Sequence, residues 1–191
     1  MKIKIIKKTP FGQMAVIWFI SCDSPRICRI LLSKPEWDAE DQAFDIYPNL
    51  QVTSSEEIDG VATAIKSFLE GENVIFSLEN VALEQCSSFQ KSVLLAEYQI
   101  PRGSISTYQL IARHLGVEKG ARAVGNALAT NPFPIIIPCH RAIRSDGTIG
   151  GFQGGIGMKK ALLKKEGIYF DQRGRILSPR FYYEKEICGN V

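Results

Sequence analysis

Histidine is scarce in this chain: 191 residues contain two, His114 and His140. The five cysteines, Cys22, Cys28, Cys86, Cys139 and Cys188, are odd in number and irregularly spaced, with no paired CxxC. That excludes a disulfide framework and the usual zinc-binding spacings, and points to a reducing compartment. Long apolar runs are missing as well. Residues 14–20 are apolar but far too few to span a bilayer, and the start has no small-residue cleavage site of the secretory kind. Net charge is only +3, which excludes nothing until its distribution is considered.

The charge is divided unevenly. Residues 1–85 carry eight basic and thirteen acidic side chains, a net of −5, whereas residues 86–191 carry fifteen and seven, a net of +8. Such asymmetry points to a polyanion-binding segment joined to a neutral or acidic partner domain. The length suits one large domain or two small ones.

The first 85 residues read as mixed α and β. Lys2 to Ile6, Gly12 to Ile20 and Arg26 to Leu32 are rich in β-branched and aromatic residues and are separated by turn residues, the pattern of a small antiparallel sheet. Ser54-Ser55-Glu56-Glu57 precedes Ile58, Val61, Ile65, Phe68 and Leu69, with Gly71 after them, which predicts a capped amphipathic helix. From Ser87 the pattern becomes short helices, over Ser88 to Glu97, Thr107 to Leu115 and Glu118 to Thr130. The last two are separated by Gly116, the grammar of a helix-turn-helix. The third is nearly bare of bulk, with Arg122 and Asn126 as its sizeable polar groups. The fold class is therefore α+β: a small N-terminal α/β domain over 1–85, then a mostly helical, winged helix-turn-helix-like domain over 86–191.

Pro134-Ile135-Ile136-Ile137 runs into Pro138-Cys139-His140-Arg141. The apolar run reads as a buried strand, and Pro138 would end it, presenting Cys139 at its tip. A free thiol is mostly protonated at neutral pH, so a nucleophilic cysteine needs a base or a positive neighbour. His140 and Arg141 are candidates for both. A buried cysteine of purely structural kind is the competing reading.

Ile100-Pro101-Arg102-Gly103, Thr107-Tyr108, Arg122 to Ala127, Asn131-Pro132, Ile137 to Arg141 and Lys165-Glu166-Gly167, in this order and spacing, closely resemble the O6-alkylguanine-DNA alkyltransferases. The resemblance is detailed over about residues 86 to 170 and loose before them. It implies a monomeric repair protein of the cytoplasm, or of the nucleoid in a prokaryote. Its partner would be double-stranded DNA containing O6-alkylguanine. It would flip the damaged guanine, and also O4-alkylthymine, out of the duplex and move the alkyl group once, irreversibly, onto its own cysteine. It implies neither cofactor nor metal.

By position, the resemblance implies Cys139 as nucleophile, His140 as the base acting through a water, Glu166 as its orienter and Asn131 as a brace. Thr107, Tyr108, Gln109, Ala121, Arg122 and Asn126 would meet DNA, with Arg122 filling the vacated stack. Tyr108, Ala142, Phe152 and Gln153 would form the guanine pocket, helped by the glycine-rich loop 150–155. Gln153 stands where many members carry serine or arginine, which alters the lip of that pocket. Some relatives hold zinc in the first domain through cysteine and histidine. No histidine lies there, so no such site is expected, while Cys22 and Cys28 stay open as a disulfide or a weak metal pair. Two other functions compete: a DNA-binding protein without repair chemistry, either a helix-turn-helix regulator or a relative that binds alkylated DNA unrepaired, of which the known binding-only examples replace the cysteine; and a cysteine hydrolase, which usually needs a histidine distant in sequence, whereas the other histidine, His114, falls within a helical pattern.

Overall fold

The computed structural model describes residues 1–177 and 180–184; Cys188 lies outside them. The chain divides into two compact units, one of residues 1–85 with 132–136, the other of 86–131 with 137–191.

The first unit is built on strands β1 (Lys2–Thr9), β2 (Gly12–Ser21), β3 (Ser24–Leu32) and the short β4 (Gln51–Val52), in the order β3-β2-β1-β4. β1 and β3 pair antiparallel with β2, in a register that sets Ile3 opposite Ile17 and Val16 opposite Ile30. β4 adds in parallel at the edge, so the sheet is mixed rather than purely antiparallel. Strand β2 is buried continuously from Met14 to Trp18. A strand covered on both faces loses polar alternation, as this run does.

Helix α1 (Ala39–Ile46), which the residue pattern did not announce, starts at Asp38, whose carboxylate accepts from the Asp41 N–H. Helix α2 (Glu56–Glu70) starts and stops where the sequence predicts. Ser55 accepts from the Ile58 N–H, and Gly71 turns left-handed at φ 108°, a conformation that costs glycine nothing. Ile58, Ala62, Ile65, Phe68 and Leu69 form its buried stripe.

The run Pro134 to Ile137 is not the strand predicted from its apolar character. Ile135 and Ile136 form a turn, with Ile135 at φ 77°, and the Ile30 N–H of β3 donates to the Pro132 carbonyl at 2.7 Å. Burial alone made the run apolar. Pro132, Pro134 and Pro138 remove the N–H groups a ladder needs, and so turn a strand-like composition into a bend.

The second unit holds α3 (Ser88–Tyr98), β5 (Ser106–Thr107), α4 (Tyr108–His114), α5 (Ala121–Ala129), β6 (Ala142–Ile143) and α6 (Gly155–Lys165). α4 and α5 are the helix-turn-helix pair, although α5 begins three residues later than predicted. Gly120 caps α5 because a Cβ there would lie 2.7 Å from the Val117 side chain. β5 and β6 pair in parallel, Ser106 with Ala142 and Thr107 with Ile143. A single 3-10 turn, Cys139–Arg141, leads into β6. This pairing places the residue that opens α4 beside the residues that follow the cysteine.

Candidate active site

The site grows from the end of α6. Met158, Lys159, Leu162 and Leu163 are buried there, and Glu166 continues the stripe as the C-cap residue. Gly167, at φ 82°, terminates the helix, and its N–H donates to the Lys164 carbonyl at 3.0 Å. Glu166 is thereby fixed facing inward, its side chain 1% exposed.

Three donors meet that carboxylate. His140 Nε2 lies 2.9 Å from Oε1, Arg141 Nη2 2.8 Å from Oε1 and Arg141 Nε 2.9 Å from Oε2. A two-pronged guanidinium contact of this kind is among the strongest charge-assisted pairs. Arg141 also donates to the Ile100 carbonyl, and Arg102 donates to the Lys165 carbonyl at 2.6 Å. The Ile100 to Gly103 turn therefore clamps the Glu166 end of α6. Burial pushes the Glu166 carboxyl up, but His140 and Arg141 more than offset it and leave it at about 2. Burial lowers His140, against the opposing pull of Glu166. With Glu166 ionised, Nε2 carries the imidazole proton and Nδ1 keeps the lone pair.

Cys139 is 5% exposed and opens onto a cavity of about 270 Å³. Tyr108, Leu128, Arg144, Gly151, Phe152 and Gln153 line it with the sulfur. Burial pushes the thiol up to about 12, although a hydrogen bond from Asn131 lowers it. The expectation that Arg141 would favour the thiolate is thus corrected: its guanidinium is committed to Glu166 and Ile100. The resting site holds a thiol, and a base is required.

Asn131 lies at the start of the segment that leads to Cys139. It is buried, and its Nδ2 donates to the Ile137 carbonyl at 3.1 Å, which also accepts from the Cys139 N–H at 2.8 Å. Gln153 Nε2 donates to the Asn131 carbonyl at 2.7 Å, tying the cavity lip to the same residue. Phe152 stands edge-on to His140, ring centroids 6.2 Å apart. Tyr108 packs so closely on the glycine loop that a Cβ on Gly150 would lie 2.7 Å from its hydroxyl. Ala142, expected on the pocket wall, is instead fully buried, and its carbonyl accepts from Lys159.

The proposed DNA residues separate into two groups. Arg122 and Asn126 are exposed on α5 and Ala121 is half-buried. Thr107 is buried, its hydroxyl spent on capping α4 through the Leu110 N–H at 3.0 Å, and Gln109 donates to the Glu118 carbonyl. His114 stacks on Tyr183, centroids 3.9 Å apart, and does not line the cavity. Cys22 is an exposed free thiol and Cys28 a buried one; they form no disulfide. Reading by motif overlooked Arg141 as the clamp, Lys159 beneath the pocket and Arg144 on its wall. Lys159 had a signal, since it shares helical spacing with Leu162, Leu163 and Glu166.

Residues 88–168 match the family described as 6-O-methylguanine DNA methyltransferase, DNA binding domain. The methylated-DNA–protein-cysteine methyltransferase of Methanothermobacter thermautotrophicus is 46% identical over 105 residues, 55% of this chain and 58% of that protein. The protein of the same name from Methanosarcina acetivorans is 37% identical over 120 residues, 63% of this chain and 76% of that one. The chain belongs to this family, the methylated-DNA–protein-cysteine methyltransferases. Among solved structures, Mycobacterium tuberculosis OGT in complex with DNA superposes with a TM-score of 0.70 at 27% identity, covering 87% of this chain and 93% of that one. The matched span contains all of the motif residues from Ile100 to Gly167, so membership rests on the half that builds the cavity.

Because the folded Glu166 value of about 2 lies below its ordinary 4.5, its contribution to stability is present above pH 4.5 and is lost as pH falls toward 2. Its size is about 3 kcal/mol. Urea denaturation between pH 7 and pH 2 is expected to show this loss in the wild type. Glu166→Gln should lack it and be less stable by roughly 3 kcal/mol at pH 7, since it leaves Arg141 buried beside a neutral partner.

Proposed function

We propose that this protein repairs DNA by direct reversal, taking the alkyl group from O6 of guanine onto Sγ of Cys139 in a single turnover. The observation that carries the reading is the sulfur itself, opening onto a cavity walled by Tyr108 and loop 151–153, with the His140–Glu166 pair behind it. The thiol proton passes to the lone pair of His140, through a water, and the imidazolium that forms is paired with ionised Glu166. Sulfur attacks the alkyl carbon, the carbon–O6 bond breaks and its electron pair stays with the base. The proton held on His140 returns to the leaving guanine, so charge and protons balance. The thioether has no leaving route, which ends the reaction after one transfer.

A guanine stacked in duplex DNA cannot reach the sulfur of a cysteine that is 5% exposed, so the base must be extruded. Extrusion costs a few kcal/mol, and least for a lesion that pairs badly. Arg122, exposed on the slender α5, supplies a planar cation for the vacated stack. The same pocket would accept O4-alkylthymine, whose transferable group also sits on an exocyclic oxygen. The substrate is thus alkylated double-stranded DNA, with the basic residues of 86–191 supplying phosphate contacts.

Incubation with duplex DNA carrying O6-methylguanine is expected to add one methyl group per chain, read by intact-protein mass and mapped to Cys139. Cys139→Ser should transfer nothing while keeping its DNA affinity. Multiple turnovers, or methyl mapped to Cys22, Cys28, Cys86 or Cys188, would contradict the reading.

Arg122→Ala separates extrusion from chemistry. It is expected to slow transfer from duplex DNA by roughly tenfold or more, the cost of a lost stacking partner in a step worth a few kcal/mol. Transfer from free O6-benzylguanine should be unchanged. Equal loss in both assays, with circular dichroism unaltered, would remove the intercalating role.

A further inference from the structure

Beside the site lies a second buried charge cluster that the chemistry above does not use. Glu97, on α3, is fully buried. Among the described residues, neither carboxylate oxygen has a partner in strict hydrogen-bond geometry; the Ala142 N–H faces it more loosely. From α6, fully buried Lys159 donates to the carbonyl of that same Ala142 at 2.6 Å and to Gly151 at 3.1 Å. Ala142 directly follows the Cys139–Arg141 turn, and Gly151 lies on the pocket wall. One residue next to the nucleophilic turn is therefore approached by a carboxyl at its N–H and held by an ammonium at its C=O.

A carboxylate with so few donors is costly in the interior and takes up a proton instead. The charged and titratable groups acting on Glu97 are Lys159 from α6, Arg141 from the 3-10 turn and Glu166 beyond α6. Its own charge acts on Tyr108 of α4 and on Cys139. Arg141 is engaged by Glu166 and Lys159 by two carbonyls, and among the described residues neither makes a hydrogen bond to Glu97. Burial pushes Glu97 up to about 8 and Lys159 down to about 8.

We propose that Glu97 is a positioning residue for the alkyl transfer: protonated at rest beneath the Cys139 turn, it governs thiol ionisation by the charge it withholds or adds beside the sulfur. The proposal rests on the repair reading for its purpose, though its test does not. While neutral, Glu97 leaves the Lys159 charge free to favour the thiolate. Once ionised, it sets a negative charge near the sulfur and opposes the thiolate. Rising pH thus draws the proton from Cys139 and at the same time raises a brake against it.

Full-length wild type, Glu97→Gln and Glu97→Leu are compared by the rate at which iodoacetamide alkylates Cys139, followed by peptide mass from about pH 6 to about pH 10. Near pH 6.5, where Glu97 and its glutamine replacement are both neutral, the two rates should agree within about twofold. Above about pH 8 the glutamine protein should run at least about threefold faster, as half a unit or more of pKa displacement requires. Superimposed profiles, or a change of equal size at every pH, would overturn the proposal, because a packing role moves all pH values alike. If Glu97→Gln does not fold, Glu97→Leu carries the comparison, with the same gain expected above about pH 8. Iodoacetamide needs no DNA, so a chain that took no methyl group from DNA would sink the repair reading and leave this test standing.

Discussion

The Glu166 carboxylate is almost completely removed from water, and three donors on two consecutive residues keep it ionised there. Every other element of the site depends on that arrangement. Gly167 stops α6 so that Glu166 points inward, and the Ile100 to Gly103 turn supplies the carbonyl that finishes Arg141. His140 is oriented with Nε2 toward the carboxylate. Removing any one donor leaves a buried charge short of partners, an error costing several kcal/mol rather than a fraction of one. The short Cys139–Arg141 turn thus inherits its geometry from a carboxylate more than twenty residues away.

That rigidity has a chemical consequence. A cysteine in such an enclosed place is a poor thiolate, since burial pushes it up to about 12. A resting thiol suits the single transfer proposed above, because stray electrophiles consume thiolates. The proposed reaction then depends on a base already oriented and on a substrate seated in the cavity. Asn131 joins the two halves of the problem, donating toward the turn while its carbonyl holds the Gln153 lip.

Much of this was legible in the residues. Ser55 and Gly71 announced α2 because capping is local chemistry, and the three strands of the first unit followed from β-branched runs broken by turn residues. The helix-turn-helix and its slender second helix were equally visible, as were Cys139, His140 and Glu166 once their spacing matched the family. Other features were hidden for identifiable reasons. The isoleucine run before Pro138 looked like a strand because burial and strand propensity favour the same side chains. Lys159 was overlooked as one more lysine in a basic helix, although its helical spacing with Leu162, Leu163 and Glu166 put it on the buried stripe. Arg141 looked like a neighbour of the sulfur, yet its partner is Glu166, a relation no local pattern encodes. Thr107 and Ala142 belong to the right segments but face the interior, a matter of β5 and β6 pairing that the residue types do not reveal.

The central claim is that burial keeps His140 a neutral base while Glu166 orients it, with its proton on Nε2 and its lone pair on Nδ1. Nitrogen-15 NMR of the imidazole in the resting protein tests it most directly. At pH 7 the account requires His140 Nε2 to resonate as a protonated nitrogen and Nδ1 as an unprotonated one. A doubly protonated ring at pH 7, or the proton on Nδ1, would contradict it.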